Sequence, residues 1–282
     1  MSGDRLRSLW DFSDLDATEA RLRSALADER TDEGRAEVLT QLARVAGIRG
    51  EFAEAHGLLS DAEARGGASE VVRARVLLER GRVLRLEGDL AAAAPLFEEG
   101  FKAATASGQD FIAADAAHMA ALTGDMALWT ERGLQLVTGS ASAAPWRGTL
   151  LNNLGWWHAQ RGEHEASLAA YTGALDARER EAPGGGRPFL REAARCGVAK
   201  ALLALGRAEE AVPLLEQAVG WGQQAGTPVR SFHEDLATAY AKLGRSDDAV
   251  EQRRLSQLAG DGPLAAWQAL PRPEPPGSQR PD

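Results

Sequence analysis

A single cysteine, Cys196, stands in 282 residues. That excludes an intrachain disulfide and a paired-cysteine metal knuckle, and fits a reducing compartment. Isoleucine appears only at Ile48 and Ile112, while alanine and leucine are abundant, a composition of helices rather than strands. Only three of the 32 basic residues are lysines (Lys102, Lys200 and Lys242), and none follows a glycine, which removes a Gly-Lys phosphate loop. Excess positive charge is missing too. The net charge of -9 makes nucleic acid an unexpected partner, because a duplex binder carries a basic face. No apolar run approaches the roughly 18 residues of a spanning helix. Asp4, Arg5 and Arg7 precede Trp10 without an apolar signal core, so a cytoplasmic protein with no membrane partner is the simplest account.

Catalytic and metal signatures are equally sparse. No Gly-x-Ser-x-Gly occurs, and His233-Glu234 runs on as Asp235-Leu236-Ala237 without the second histidine of a zinc protease helix. His158 and His164 straddle Gly162 and do not share a helix face. Asp115 and His118, three apart, offer two metal ligands, but a satisfied polar pair is the commoner arrangement. Cys196 beside Gly197 reads as a small core residue. No carboxylate pair stands out among the acidic residues. No catalytic residue, metal or cofactor is therefore assigned, and the chain is read as not an enzyme.

What the chain does have is a phrase repeated six times. A glycine followed by a charged or polar residue recurs at Gly50, Gly88, Gly124, Gly162, Gly206 and Gly244, spaced by subtraction 38, 36, 38, 44 and 38 residues. Such periods mark stacked supersecondary units. Seven residues before each glycine stand Ala43, Gly81, Ala117, Gly155, Ala199 and Ala237, all small. Five after stand Ala55, Ala93, Trp129, Ser167, Ala211 and Ala249, small in all but the third. Nine after, a larger residue is usual (Leu59, Phe97, Tyr171, Leu215), failing at Gly133 and Arg253. This pattern predicts two antiparallel helices per unit, with small residues allowing close approach and larger ones filling the space alongside. The glycine would end the first helix in a left-handed conformation.

The phrases Leu154-Gly155 with Gly162 and Ala174, Leu236-Ala237 with Tyr240, Gly244 and Ala249, and Leu205-Gly206-Arg207-Ala208-Glu209-Glu210-Ala211 resemble the tetratricopeptide repeat family. The whole chain also looks like tetratricopeptide proteins of unassigned function from high-GC bacteria. The resemblance implies an all-α, right-handed superhelical solenoid of about six helix-turn-helix repeats with capping helices at both ends. The expected organisation is a flexible arm over 1–13, a capping helix and linker over 14–35 with Ser13 or Asp14 as cap, and the solenoid over 36–258. A C-terminal cap over 259–270 and a disordered Pro-rich tail over 271–282 follow. Gly139 to Pro145 reads as a long loop, and Pro183 to Pro188 as a breaker cluster that explains the 44-residue spacing.

By the same resemblance, positions six, nine and ten before each glycine line a concave groove. Those singled out are Arg44, Arg82, Asp115, His118, Asn152, Asn153, Trp156, Lys200 and Glu234. Trp156 would be a rigid anchor and Trp157 would pack against a neighbouring helix; Asn152 and Asn153 could bind a peptide backbone. The ladder of Arg44, Arg82 and Lys200 favours a ligand with some negative charge. Domains of this family that clamp a C-terminal carboxylate place asparagines and lysines here. Asn153 and Lys200 match, whereas Glu79 and Asp115 stand where asparagine would, which argues against that clamp. The expected function is a non-enzymatic module that binds a peptide or partner segment. Two alternatives stay open: a small-molecule or metal sensor or enzyme in the middle repeats, and a structural oligomer using a solenoid end or an apolar patch at Trp129 and Trp146 in the third repeat.

Overall fold

The computed structural model describes residues 4–12, 14–181 and 188–261. Thirteen α-helices lie among them: α1 Leu15–Asp28, α2 Asp32–Arg49, α3 Phe52–Gly66, α4 Glu70–Leu86, α5 Leu90–Ala106, α6 Asp110–Ala121, α7 Met126–Gly139, α8 Arg147–Gln160, α9 His164–Glu179, α10 Pro188–Ala204, α11 Ala208–Gln224, α12 Arg230–Lys242 and α13 Ser246–Leu258. The sole pairing of extended backbone among the described residues is an isolated bridge between Val229 and Gly260. The fold is an all-α repeat architecture, with α2/α3, α4/α5, α6/α7, α8/α9, α10/α11 and α12/α13 packed as successive pairs. It divides into two compact units, one ending at Trp146 and the other beginning at Arg147. Each unit holds three of the six helix pairs. The sequence between α7 and α8 contains only a turn and a 3-10 segment, Ala144–Trp146.

The repeated phrase has a direct physical meaning. Gly50, Gly88, Gly162, Gly206 and Gly244 have φ between 71° and 92°. In each case the polar residue that follows donates its backbone N–H to the carbonyl five residues back. The pairs are Glu51 to Ala46, Asp89 to Leu84, Glu163 to His158, Arg207 to Leu202 and Arg245 to Tyr240, at 2.9 to 3.0 Å. That bond closes the first helix and satisfies one of its orphan carbonyls. The same polar residue is the N-cap of the second helix. Gly124 departs from this expectation. It is absent from the positive-φ glycines, and α6 ends earlier, at Ala121.

The small-large register is packing within a pair. A Cβ on Gly81 would meet the Phe97 ring at 2.6 Å, and one on Gly155 would meet the Tyr171 ring at 2.7 Å. Both rings sit nine residues after the phrase glycine. The third pair achieves the same filling differently: Gly133 leaves the usual large position empty of side chain, and Trp129, one turn earlier, is 3% exposed. Its ring lies edge-on to Phe101 at 5.3 Å.

At the N-terminal end one expectation holds and two shift. Asp14 caps α1 by accepting from the Ala17 N–H at 2.8 Å, while Ser13 lies outside the described residues. The first repeat helix starts at Asp32, capped by Thr31, not at 36. The arm over 1–13 is not loose where it is described. Leu6 is 2% exposed in a cluster with Leu22, Val38, Leu42 and Val72. Thr18 Oγ1 accepts from the Asp11 N–H and donates to the Asp11 carbonyl, and Arg21 Nε donates to the Leu9 carbonyl. Most of the breaker cluster, nearly all of the expected C-terminal cap and the whole tail lie outside the described residues; Pro188 opens α10.

Candidate binding face of the repeats

In the first unit, three helices each present a stripe at i, i+4 and i+7, which share one helix face. They are Glu37, Gln41 and Arg44 on α2; Arg75, Glu79 and Arg82 on α4; and Phe111, Asp115 and His118 on α6. Arg82 Nη1 donates to Glu79 Oε1 at 2.6 Å, and its other terminal nitrogen pairs with Asp115. Arg44 reaches Glu79 at 3.9 Å, and Arg75 Nε donates to Glu37 at 3.0 Å. The side chains of Arg82 and Glu79 are 3% and 2% exposed. Burial opposes the Arg82 charge, yet the neighbouring Asp115 and Glu79 carboxylates more than offset it and hold its pKa above the ordinary arginine value. Burial and the neighbouring Arg82 charge push Arg44 below that value, against the pull of Glu79 and Asp115.

Residues 4–12 lie on this face. Asp4 pairs with Arg75, and Arg5 Nε donates to Glu37 at 3.2 Å. Burial alone would raise the Asp4 carboxyl; the Arg75 guanidinium overrides it and holds the group below the usual carboxylate range. Trp10 Nε1 donates to Gln41 Oε1 at 3.0 Å, and the Arg44 guanidinium sits 5.0 Å from the Trp10 ring and 5.4 Å from the Phe12 ring. Arg7 lies 5.5 Å over Phe111. Four cations (Arg5, Arg44, Arg75, Arg82) thus face four carboxylates (Asp4, Glu37, Glu79, Asp115), a neutral set whose buried members compensate one another.

The second unit has a different face. Its stripe positions are Thr149, Asn153 and Trp156 on α8; Ala193, Gly197 and Lys200 on α10; and Ser231, Asp235 and Thr238 on α12. The Lys200 side chain is 54% exposed and reaches Asp235 at 3.1 Å. Burial pushes the Asp235 carboxyl up, and Lys200 opposes this in part. Glu234 is exposed, Asn152 half-buried and Asn153 buried. Trp156 is half-buried against the unit's core. Trp157 is half-buried too, with the Arg161 guanidinium 4.7 Å over its ring, so the expected division of labour between the two tryptophans does not hold.

Several expectations need correction. Four of the six positions ten before the glycine turn into the core: Thr40, Leu78, Ala114 and Cys196 are buried, unlike Asn152 and Glu234, and burial raises the Cys196 thiol far above its usual range. Two members of the cation ladder are already engaged: Arg44 and Arg82 face Glu79 and Asp115 inside the first unit. Asp115 and His118 do not converge as ligands: the first pairs with Arg82, and the second lies with its ring tilted against that of Trp146 at 5.6 Å. The Trp129 and Trp146 patch fails because Trp129 is buried. Among the described residues there is no group of three or more His, Cys, Asp or Glu placed to hold a metal ion. No helix among them is long and apolar enough to cross a membrane. The sequence reading missed Glu37, Arg75 and Phe111, which stand 13 before their glycines. The signal available was the i, i+4, i+7 spacing itself.

Residues 147–182, a stretch that includes α8 and α9, match a family model described as a tetratricopeptide repeat. Among solved structures, BtubC (BKLC) from P. vanneervenii aligns with a TM-score of 0.57 at 17% identity, covering 76% of this chain and 90% of that one. The fold is that of tetratricopeptide-like repeats. The apo form of RapI aligns at 0.56 and 13% identity over 87% and 91% of the two chains. A Rap protein complexed with Competence and Sporulation Factor aligns at 0.54 and 14% identity over 94% and 76%. No curated protein matches the sequence.

Proposed function

We propose that the chain is a non-enzymatic protein-interaction module that holds peptide or partner segments on the α2/α4/α6 and α8/α10/α12 faces. The observation that carries this reading is the seating of residues 4–12 on the first of these. Ion pairs, a tryptophan-amide hydrogen bond and guanidinium-aromatic contacts hold a stretch of chain there. The likeness to a Rap protein complexed with Competence and Sporulation Factor is consistent with such a role.

In the second unit, Trp156, Lys200, Asp235 and Glu234 would receive the partner. In this unit an acidic partner is favoured at Lys200, where its carboxylate would have to outcompete Asp235. The test is capture from a peptide array by the full chain and by Trp156→Ala and Lys200→Glu variants. Loss of specific capture in variants of unchanged helical content is the expected result. Undiminished capture by both variants would remove the α8/α10/α12 face from the proposal.

A further inference from the structure

We infer that the α2/α4/α6 face is a docking site for a partner segment carrying a carboxylate, a leucine-sized group two residues later and an aromatic ring four beyond that. Asp4 to Phe12 occupies it in cis, and such a segment must displace it. The inference rests on the reading that these faces hold peptides, and it adds the partner's chemistry and a resident competitor.

The pattern comes from the arm's three anchors. Asp4 answers Arg75, whose guanidinium is buried and also held by Glu37. Leu6 enters the apolar cluster between α1, α2 and α4. Trp10 stacks on Phe12 at 4.8 Å, lies under Arg44 and donates to Gln41. Large aromatic and arginine contacts of this kind dominate peptide affinity.

Two features make the arm replaceable rather than an integral part of the repeats. It reaches α2, α4 and α6 through side chains, whereas its backbone groups bond within the arm, as Leu9 to Leu6 and Trp10 to Arg7, and to Thr18 and Arg21 of α1. The arm also leaves the face incompletely satisfied. Glu79 Oε2 and the Nε atoms of Arg44 and Arg82 are buried without a hydrogen-bond partner among the described residues. Buried polar atoms of this kind normally find partners. A partner segment that reaches them makes bonds that the arm does not, and so can outcompete a tethered occupant despite the tether's high effective concentration.

The experiment uses a fluorescent synthetic peptide with the sequence of residues 1–13, titrated into the full chain and followed by anisotropy. A second full-chain protein carries Asp4→Arg and Leu6→Ser, which set a like charge against Arg75 and remove the apolar anchor. The peptide is expected to bind this variant saturably and the wild type at least tenfold more weakly. Trp10→Ala within the peptide should weaken binding about tenfold or more. Equal binding to both proteins, or none to a variant that keeps its helical circular dichroism, overturns the inference.

Should the variant not fold, hydrogen exchange on the wild type decides. The amides of Leu6, Trp10 and Asp11 should exchange well before those in the middle of α2 and α4 and be further exposed by excess peptide. Exchange only together with those helices would make the arm a structural element and sink the proposal. Failure here with array capture through Trp156 and Lys200 intact would leave the broader function standing.

Discussion

The two units use the same internal packing and present opposite surfaces. In each, a glycine-polar phrase closes one helix and caps the next, and a large residue lies over a small one. Yet the first unit's stripes form a buried, charge-balanced network under a segment of the chain, whereas Lys200 and Glu234 in the second are exposed. The difference teaches that repeat register determines which positions share a face but not whether that face is open. Openness depends on what else the chain lays across it.

The largest expected contrast is in ion-pair deletion. Arg82→Met leaves Asp115 buried without its ion-pair partner, and Glu79 with only the more distant Arg44, and should cost about 3–5 kcal/mol. Lys200→Met removes a pair with one exposed partner and should cost below about 1 kcal/mol. Thermal unfolding by circular dichroism checks both, and equal losses would erase the contrast.

Next come the packing positions, where the units should agree. Gly81→Ala and Gly155→Ala would drive a methyl to 2.6 Å from the Phe97 ring and 2.7 Å from the Tyr171 ring. Overpacking of this kind costs about 1–3 kcal/mol in each case. A neutral result in one unit alone would show that its core is looser than the register implies; urea midpoints provide the comparison.

The smallest effect is in pH dependence, and its sign differs between the units. Asp4, held down by Arg75 against its burial, contributes stability above the ordinary carboxylate pKa of about 3.9, lost as pH falls through its lower folded value. Asp235, raised by burial against the pull of Lys200, behaves oppositely. Its contribution is fullest below the ordinary value and declines as pH rises through the higher folded one. Asp4→Asn should therefore destabilise at neutral pH, with the penalty vanishing in acid. Asp235→Asn should be neutral or stabilising at neutral pH. Urea titrations at about pH 7 and about pH 3, spanning the carboxylate range, read both signs.

Much of the fold was legible because its determinants are local. Gly50 and Glu51, or Gly206 and Arg207, carry a helix end and a helix start in two letters. Where the letters failed, the structure shows why. Gly124 has no left-handed turn to make because α6 stops at Ala121. Trp129 in a small position is matched by Gly133 in a large one, a swap visible only when both are read together.

The candidate face was legible in its spacing and illegible in its state. Arg44, Arg82 and Asp115 share a spacing, but what engages them includes partners from other repeats, as with Arg82 and Asp115, 33 residues apart. Asp4 and Arg75 are 71 residues apart. Leu6, Leu9 and Trp10 do carry an i, i+3, i+4 helical spacing, but a single turn of it does not signal that Asp4 to Phe12 packs across the repeats.

The most direct test of the account is where the arm lies in solution. A photo-reactive side chain in place of Arg7 in the full chain should crosslink to α6 at or next to Phe111, with the attachment mapped by mass spectrometry. Attachment confined to α1, or spread over unrelated surfaces, would contradict the claim that the first unit's binding face is occupied by the chain's own N-terminal segment.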